Sequence, residues 1–107
     1  MRTVTLRLVT VVVERVLRDR LLGELRALGA TGYTLTDVHG EGSRGVHASE
    51  WEGPSVKVET IVRPEVAERI VEHVAARYFT HHAVIVYAQD VEVVRAGKYG
   101  ERGPDSG

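Results

Sequence analysis

The 107-residue sequence predicts an α+β fold in one domain, and three observations carry that expectation. Two segments place apolar residues at helical spacing, and four show the β-branched alternation of strands. These segments follow one another as strand, helix, strand, strand, helix, strand. Size and composition agree, since domains commonly run to about 100–150 residues and 43% hydrophobic with 27% charged residues is the balance of an ordinary globular chain.

Residues Thr3 to Val13 are dense in β-branched side chains and read as the first strand. Val4, Leu6, Leu8 and Val12 share one face of it, while Thr3, Thr5, Arg7, Val9 and Val11 share the other. The period then changes. Leu17, Leu21, Leu22, Leu25 and Leu28 recur at helical spacing over Glu14 to Leu28, and Gly29 stands where a helix commonly ends in a left-handed residue. Tyr33 to Val38 is the second strand. His39 to Pro54 holds four glycines, two serines and a proline, a composition for a long loop rather than a packed element. Loops beyond about 12–15 residues in a compact domain tend to carry function. Ser55 to Val62 alternates as the third strand. Pro64 opens a second helix that runs to about Phe79 and buries Val66, Ala67, Ile70, Val71, Val74 and Tyr78. Ala83 to Gln89 is the fourth strand, and Val91 to Val94 a short fifth. Residues 1–96 thus form the domain, with the loop at 39–54, and the Gly-rich residues 97–107 form a flexible C-terminal segment.

The order β-α-β-β-α-β is the ferredoxin-like split arrangement, a four-stranded antiparallel sheet with two helices on one face. The uncovered face is expected to carry Val9, Val11, Ile61, Ile85 and Tyr87. That much aliphatic surface calls for burial against other subunits.

Charge and composition exclude several classes of function. Fourteen basic against 15 acidic residues give a net charge of −1, whereas a dedicated nucleic-acid binder would be basic. Lys57 and Lys98 are the only lysines, so arginine dominates the cations. The absence of cysteine removes disulfides, thiolate catalysis and Cys-type zinc sites. His39, His47, His73, His81 and His82 show no HxH or HxxxH spacing and read as structural or solvated, so no metal site is assigned. No nucleophile elbow and no evident carboxylate pair is present, and no catalytic residue is assigned. The apolar run Val9 to Val13 is far short of the ~20 residues that span a bilayer, and without a signal-peptide pattern the chain is expected in the cytoplasm.

The loop offers the one constellation with ligand chemistry. Gly40-Glu41-Gly42-Ser43-Arg44-Gly45 follows a strand and could turn backbone N–H groups toward an anion, with the Ser43 hydroxyl and Arg44 guanidinium beside them. It is neither a Walker A sequence nor a GxGxxG that opens a helix, and a solvated surface loop fits the same residues. Trp51 is either a partner-binding anchor or packs back on its own subunit.

The passage Leu25 to Gly42 resembles the helix-to-strand entry into the T-loop of PII signalling proteins, through Gly29-Ala30-Thr31-Gly32-Tyr33-Thr34 and then Gly40-Glu41-Gly42. The resemblance extends from residue 1 to about residue 95. It implies a homotrimer with an adenine nucleotide in each of three inter-subunit clefts, and a T-loop that responds to ligand and docks on a target. Two departures set the chain apart from classical members. The glycine-rich phosphate loop after the second helix is replaced by Tyr78 to Tyr87, which contains no glycine. The T-loop glutamine that completes a magnesium and 2-oxoglutarate site is missing, Gln89 being the only glutamine.

Arg77-Tyr78-Phe79-Thr80 with Ala83, and Gly42 to Val46, resemble instead the SbtB-type, carboxysome-associated PII-like proteins. Those connect adenine nucleotides to inorganic-carbon uptake, through a bicarbonate transporter or bicarbonate itself. Gly103 to Gly107 keeps the skeleton of their terminal redox clip without its cysteines.

By this resemblance Gly42, Ser43 and Arg44 hold the phosphates, and Thr36 and Val38 lie beside base or ribose. Tyr87 and Gln89 of a neighbouring subunit line the other wall, and Arg95 and Lys98 close over phosphate. The expected ligands are AMP, ADP, ATP or cyclic AMP, with bicarbonate as a second, and no cofactor. The expected function is control of inorganic-carbon uptake or carboxysome-linked metabolism by binding alone, the T-loop docking on a bicarbonate transporter or other membrane transporter. A weak adenine-nucleotide phosphohydrolase and a CutA-like metal-responsive trimer are the alternatives.

Overall fold

The computed structural model describes residues 2–39 and 54–94. Gly42, Ser43, Arg44, Trp51, Arg95 and Lys98, and with them most of the 39–54 loop and the expected C-terminal segment, lie outside the described residues. The elements are β1 (Val4–Glu14), a 3-10 turn (Arg15–Leu17), α1 (Arg18–Leu28), β2 (Thr34–Val38), β3 (Ser55–Val62), α2 (Pro64–Tyr78) and β4 (Val84–Val93). All strand pairs are antiparallel, in the order β2-β3-β1-β4. This is the ferredoxin-like α+β fold, with both helices on one side of the sheet.

Local chemistry sets the ends of the helices. Gly29 closes α1 at φ 120°, with its N–H bonded to the Arg26 carbonyl at 3.1 Å. A Cβ there would stand 3.2 Å from Val66 of α2, so glycine serves both the turn and the close helix approach. Pro64 begins α2, where a missing N–H costs nothing. Val9, Val11 and Val13 of β1 join Val56, Val58 and Val62 of β3 beneath Leu21, Leu25, Ile70, Val74 and Tyr78 of the helices, and these form the core.

Three boundaries or faces differ from expectation. Val9 and Val11 point at the helices, with 0% and 1% exposure, rather than at the uncovered face. Their cross-strand partners show why: Val9 opposes Thr60 and Ala88, and Val11 opposes Val58 and Val86. The open face carries Leu8, Thr10 and Val12, set against Ile61, Tyr87 and Ile85 respectively. Because β1 is β-branched on both faces from Val9 to Val13, alternation alone leaves a one-residue ambiguity that only pairing resolves.

Helix α1 starts at Arg18, four residues after the expected start at Glu14. The N–H of Arg15 is committed to the Pro54 carbonyl at 2.9 Å, which holds the end of β1 to the loop stem. The expected fifth strand is the end of β4, which stays paired with β1 as far as Val93 opposite Val4. Arg7 bonds Asp90 at 2.7 Å along that stretch. No helix among the described residues is long and apolar enough to cross a membrane.

Candidate functional site

The open sheet face is a grid whose rows follow from register. One row reads Thr34, Glu59, Thr10, Tyr87 and the next, toward the loop stem, Thr36, Lys57, Val12, Ile85. On the other side lies the row Ile61, Leu8, Gln89. Ile85 and Tyr87 remain 44% and 47% exposed, and the Thr10 hydroxyl in the middle is buried without a hydrogen-bond partner.

A pocket of about 390 Å³ opens at the β2 side of this face. Pairing of β2 with β3 begins only at Thr34 opposite Glu59, so the chain from Thr31 to Tyr33 runs free of the ladder. The Thr60 hydroxyl donates to the Gly32 carbonyl at 2.6 Å and fixes this segment over the sheet. Leu8 and Ile61 supply apolar lining, Thr31, Tyr33 and Thr34 supply hydroxyls, and Glu59 is the one carboxylate in the lining. Such a lining suits an uncharged group bearing hydrogen-bond donors. An anion would meet the Glu59 carboxylate, which no ion pair among the described residues neutralises.

The expected site residues that are described fall into two groups. Thr36 and Val38 lie on β2 beyond the pocket, opposite Lys57 and Ser55. Tyr87 and Gln89 lie on β4, at the other edge. With β3 and β1 between them, the two groups are separated by about three strand spacings, or ~14 Å. One chain does not bring all four to a single small ligand.

Leu8, Thr31, Glu59 and Ile61 were not among the expected site residues. The Gly-x-Thr-Gly step was legible as a family signature, and only the structure shows it as a pocket wall. Glu59, the one acid in a strand whose other side is lined with valine, was the available signal.

The loop stems are braced from Arg15, the first residue after β1. Besides the bond of its N–H to Pro54, Arg15 reaches Asp37 of β2 with its guanidinium at 3.3 Å. A second polar cluster lies between the helices, away from the pocket. One Glu24 oxygen accepts from the Tyr78 hydroxyl at 2.7 Å and contacts His73 Nε2 at 3.0 Å, while the other accepts from Arg20 at 3.2 Å. The Arg20 guanidinium also lies 4.7 Å from the Tyr78 ring centre. Burial raises the Glu24 pKa, but the bonds from Tyr78, His73 and Arg20 outweigh it and hold the carboxyl below its usual range. Burial, and then the bond to Glu24, push the Tyr78 phenol well above its usual range.

His73 and His82, whose ring tilts against Tyr78 at 5.8 Å, are thus packed side chains. Among the described residues no group of three or more His, Cys, Asp or Glu is placed to hold a metal.

Comparison with known proteins bears on what this site is for. The family model for nitrogen regulatory protein P-II matches residues 6–98. A candidate PII-like signalling protein from Thermus thermophilus is 50% identical, with 92% of this chain and 99% of that one covered and a TM-score of 0.80. CPII from Thiomonas intermedia K12, bound to ADP, AMP and bicarbonate, is 22% identical over 86% of this chain and 96% of its own, with a TM-score of 0.71. The B. subtilis GlnK–ATP complex is 18% identical over 81% and 84%, with a TM-score of 0.61. At those identities the last two likenesses are of fold.

Proposed function

The chain belongs to the nitrogen regulatory protein P-II family, and from that membership we propose a PII-like signal-transduction protein that binds adenine nucleotides in clefts between three copies of itself. It acts by binding, with no reaction of its own. The observation that carries this reading is the division of the open face: a pocket for an uncharged group at the β2 edge, and Tyr87 with Gln89 at the β4 edge. A neighbouring copy that presents its β4 edge to the β2 edge would complete a cleft that one chain leaves open. The nucleoside fits the pocket of Leu8, Ile61 and Glu59, and Thr36 and Val38 flank its path to the phosphates. Gly42, Ser43, Arg44, Arg95 and Lys98 are assigned to the phosphates on the family resemblance.

CPII, which shares the fold, binds ADP, AMP and bicarbonate, and GlnK binds ATP. That supports AMP, ADP and ATP as ligands here and bicarbonate as a second one, with cyclic AMP a further candidate. On the sequence resemblance alone we assign an SbtB-type role, in which the T-loop docks on a cytoplasmic surface of a bicarbonate or other membrane transporter and reports nucleotide state to carbon uptake. Residues 1–96 form the binding domain and 97–107 an appended segment.

The test is calorimetric titration with AMP, ADP, ATP and cyclic AMP, with and without bicarbonate, together with a product assay. Reversible binding of at least one nucleotide without turnover is expected. Absence of binding, or sustained hydrolysis, would overturn the reading.

A further inference from the structure

Among the described residues the open face carries three charged side chains: Glu14, Lys57 and Glu59. Each is half-buried, and none forms an ion pair. Lys57 is the one cation of the set. It lies beside Val12 on β1 and Thr36 on β2, two residues from Glu59 on the same side of β3 and so about 7 Å nearer the loop stem. Its aliphatic stem lies along the sheet and its ammonium has no carboxylate at ion-pair distance, so that charge is open to an incoming anion. Read from the pocket toward the stem, β3 therefore presents a carboxylate and then a cation.

A nucleotide has the matching polarity. Its base and ribose are uncharged and rich in N–H and O–H donors, and its negative charge begins at the phosphate next to the ribose. We propose that Lys57 binds that first phosphate, and that Glu59 and Lys57 together fix which way round the nucleotide lies. The nucleoside end rests in the pocket and the phosphates run toward the loop stem. Glu14, one row further toward the stem, sets a negative charge beyond Lys57, so the positive spot is one phosphate wide. The proposal deepens the nucleotide-binding reading above and rests on it.

The test is calorimetric titration of wild type, Lys57→Met and Lys57→Arg with adenosine, AMP and ADP. Lys57→Met is expected to weaken AMP and ADP by a similar factor, about ten- to a hundredfold, the loss of one charge-assisted contact. Adenosine affinity should stay within about twofold, because the nucleoside pocket is untouched and a twofold change is only ~0.4 kcal/mol. Lys57→Arg should recover most of the AMP affinity, since the cation is kept. The melting temperature of Lys57→Met should not fall, as methionine suits the same apolar surroundings.

Equal losses for adenosine and AMP, or a fall in melting temperature, would make Lys57 a structural residue and overturn the proposal. So would unchanged AMP affinity. A wild-type protein that takes neither adenosine nor AMP would instead overturn the nucleotide reading, and this proposal with it.

Discussion

At the scale of single residues, the Thr10 hydroxyl and the Glu24 carboxylate are opposite cases. Thr10 is 0% exposed at the centre of the sheet and its oxygen has no partner. A buried hydroxyl left unpaired costs about 1–3 kcal/mol. Thr10→Val, nearly the same shape, should therefore raise stability by about 1 kcal/mol, read as a higher melting temperature. Glu24 is the reverse, a charge kept in place by three donors. Its folded pKa lies below its unfolded one, so its contribution is whole above the unfolded carboxylate value, about 4.3, and is lost as pH falls through the folded value. Glu24→Gln should flatten the acid limb of a stability-against-pH curve and cost about 1–2 kcal/mol at neutral pH by denaturant melting. An unchanged acid limb would show that other carboxylates govern acid unfolding. None of this cluster was legible in the sequence. Glu24, His73 and Tyr78 are up to 54 positions apart, and only the packing of α1 on α2 brings them together.

At the scale of elements, the sequence told most about the helices and least about the faces of the strands. Leucine spacing located α1 and the Pro64 start located α2, because a helix with one buried stripe writes its orientation into its period. β1 is valine-rich on both sides, so its period is silent on orientation. The start of α1 was missed because Arg15 is held by Pro54 and Asp37, partners that meet it only through the sheet. That brace also yields an expectation. The Arg15–Asp37 pair is exposed on both sides, so Asp37→Ala should cost under about 1 kcal/mol of global stability. Amide exchange at Val38 and Ser55, the last β2–β3 pair before the loop, should quicken. In α1, Gly23 is exposed and an added Cβ meets nothing within 4 Å. Gly23→Ala should stabilise the chain by about 0.5–1 kcal/mol, measured by chemical denaturation.

At the scale of the whole molecule, the uncovered sheet face predicts the assembly. Ile85 and Tyr87, with Leu8 and Val12 between the strands, form an apolar surface that a trimer would remove from water. Ile85→Glu places a charge on that surface while leaving the helix-side core intact. It should give a monomer mass by light scattering, where wild type gives a trimer, with an unchanged circular dichroism spectrum. The sheet order has a further consequence, for synthesis. β1 is made first, and its two edges are taken by β3 and, last of all, β4. At about 5–20 residues per second the ribosome needs ~4–14 s to reach Val84 after Glu14. Throughout that interval the most valine-rich strand has at least one edge unpaired and open to a neighbouring nascent chain. On a crowded polysome the yield of soluble protein should therefore depend on how soon the last ten-residue strand follows the first.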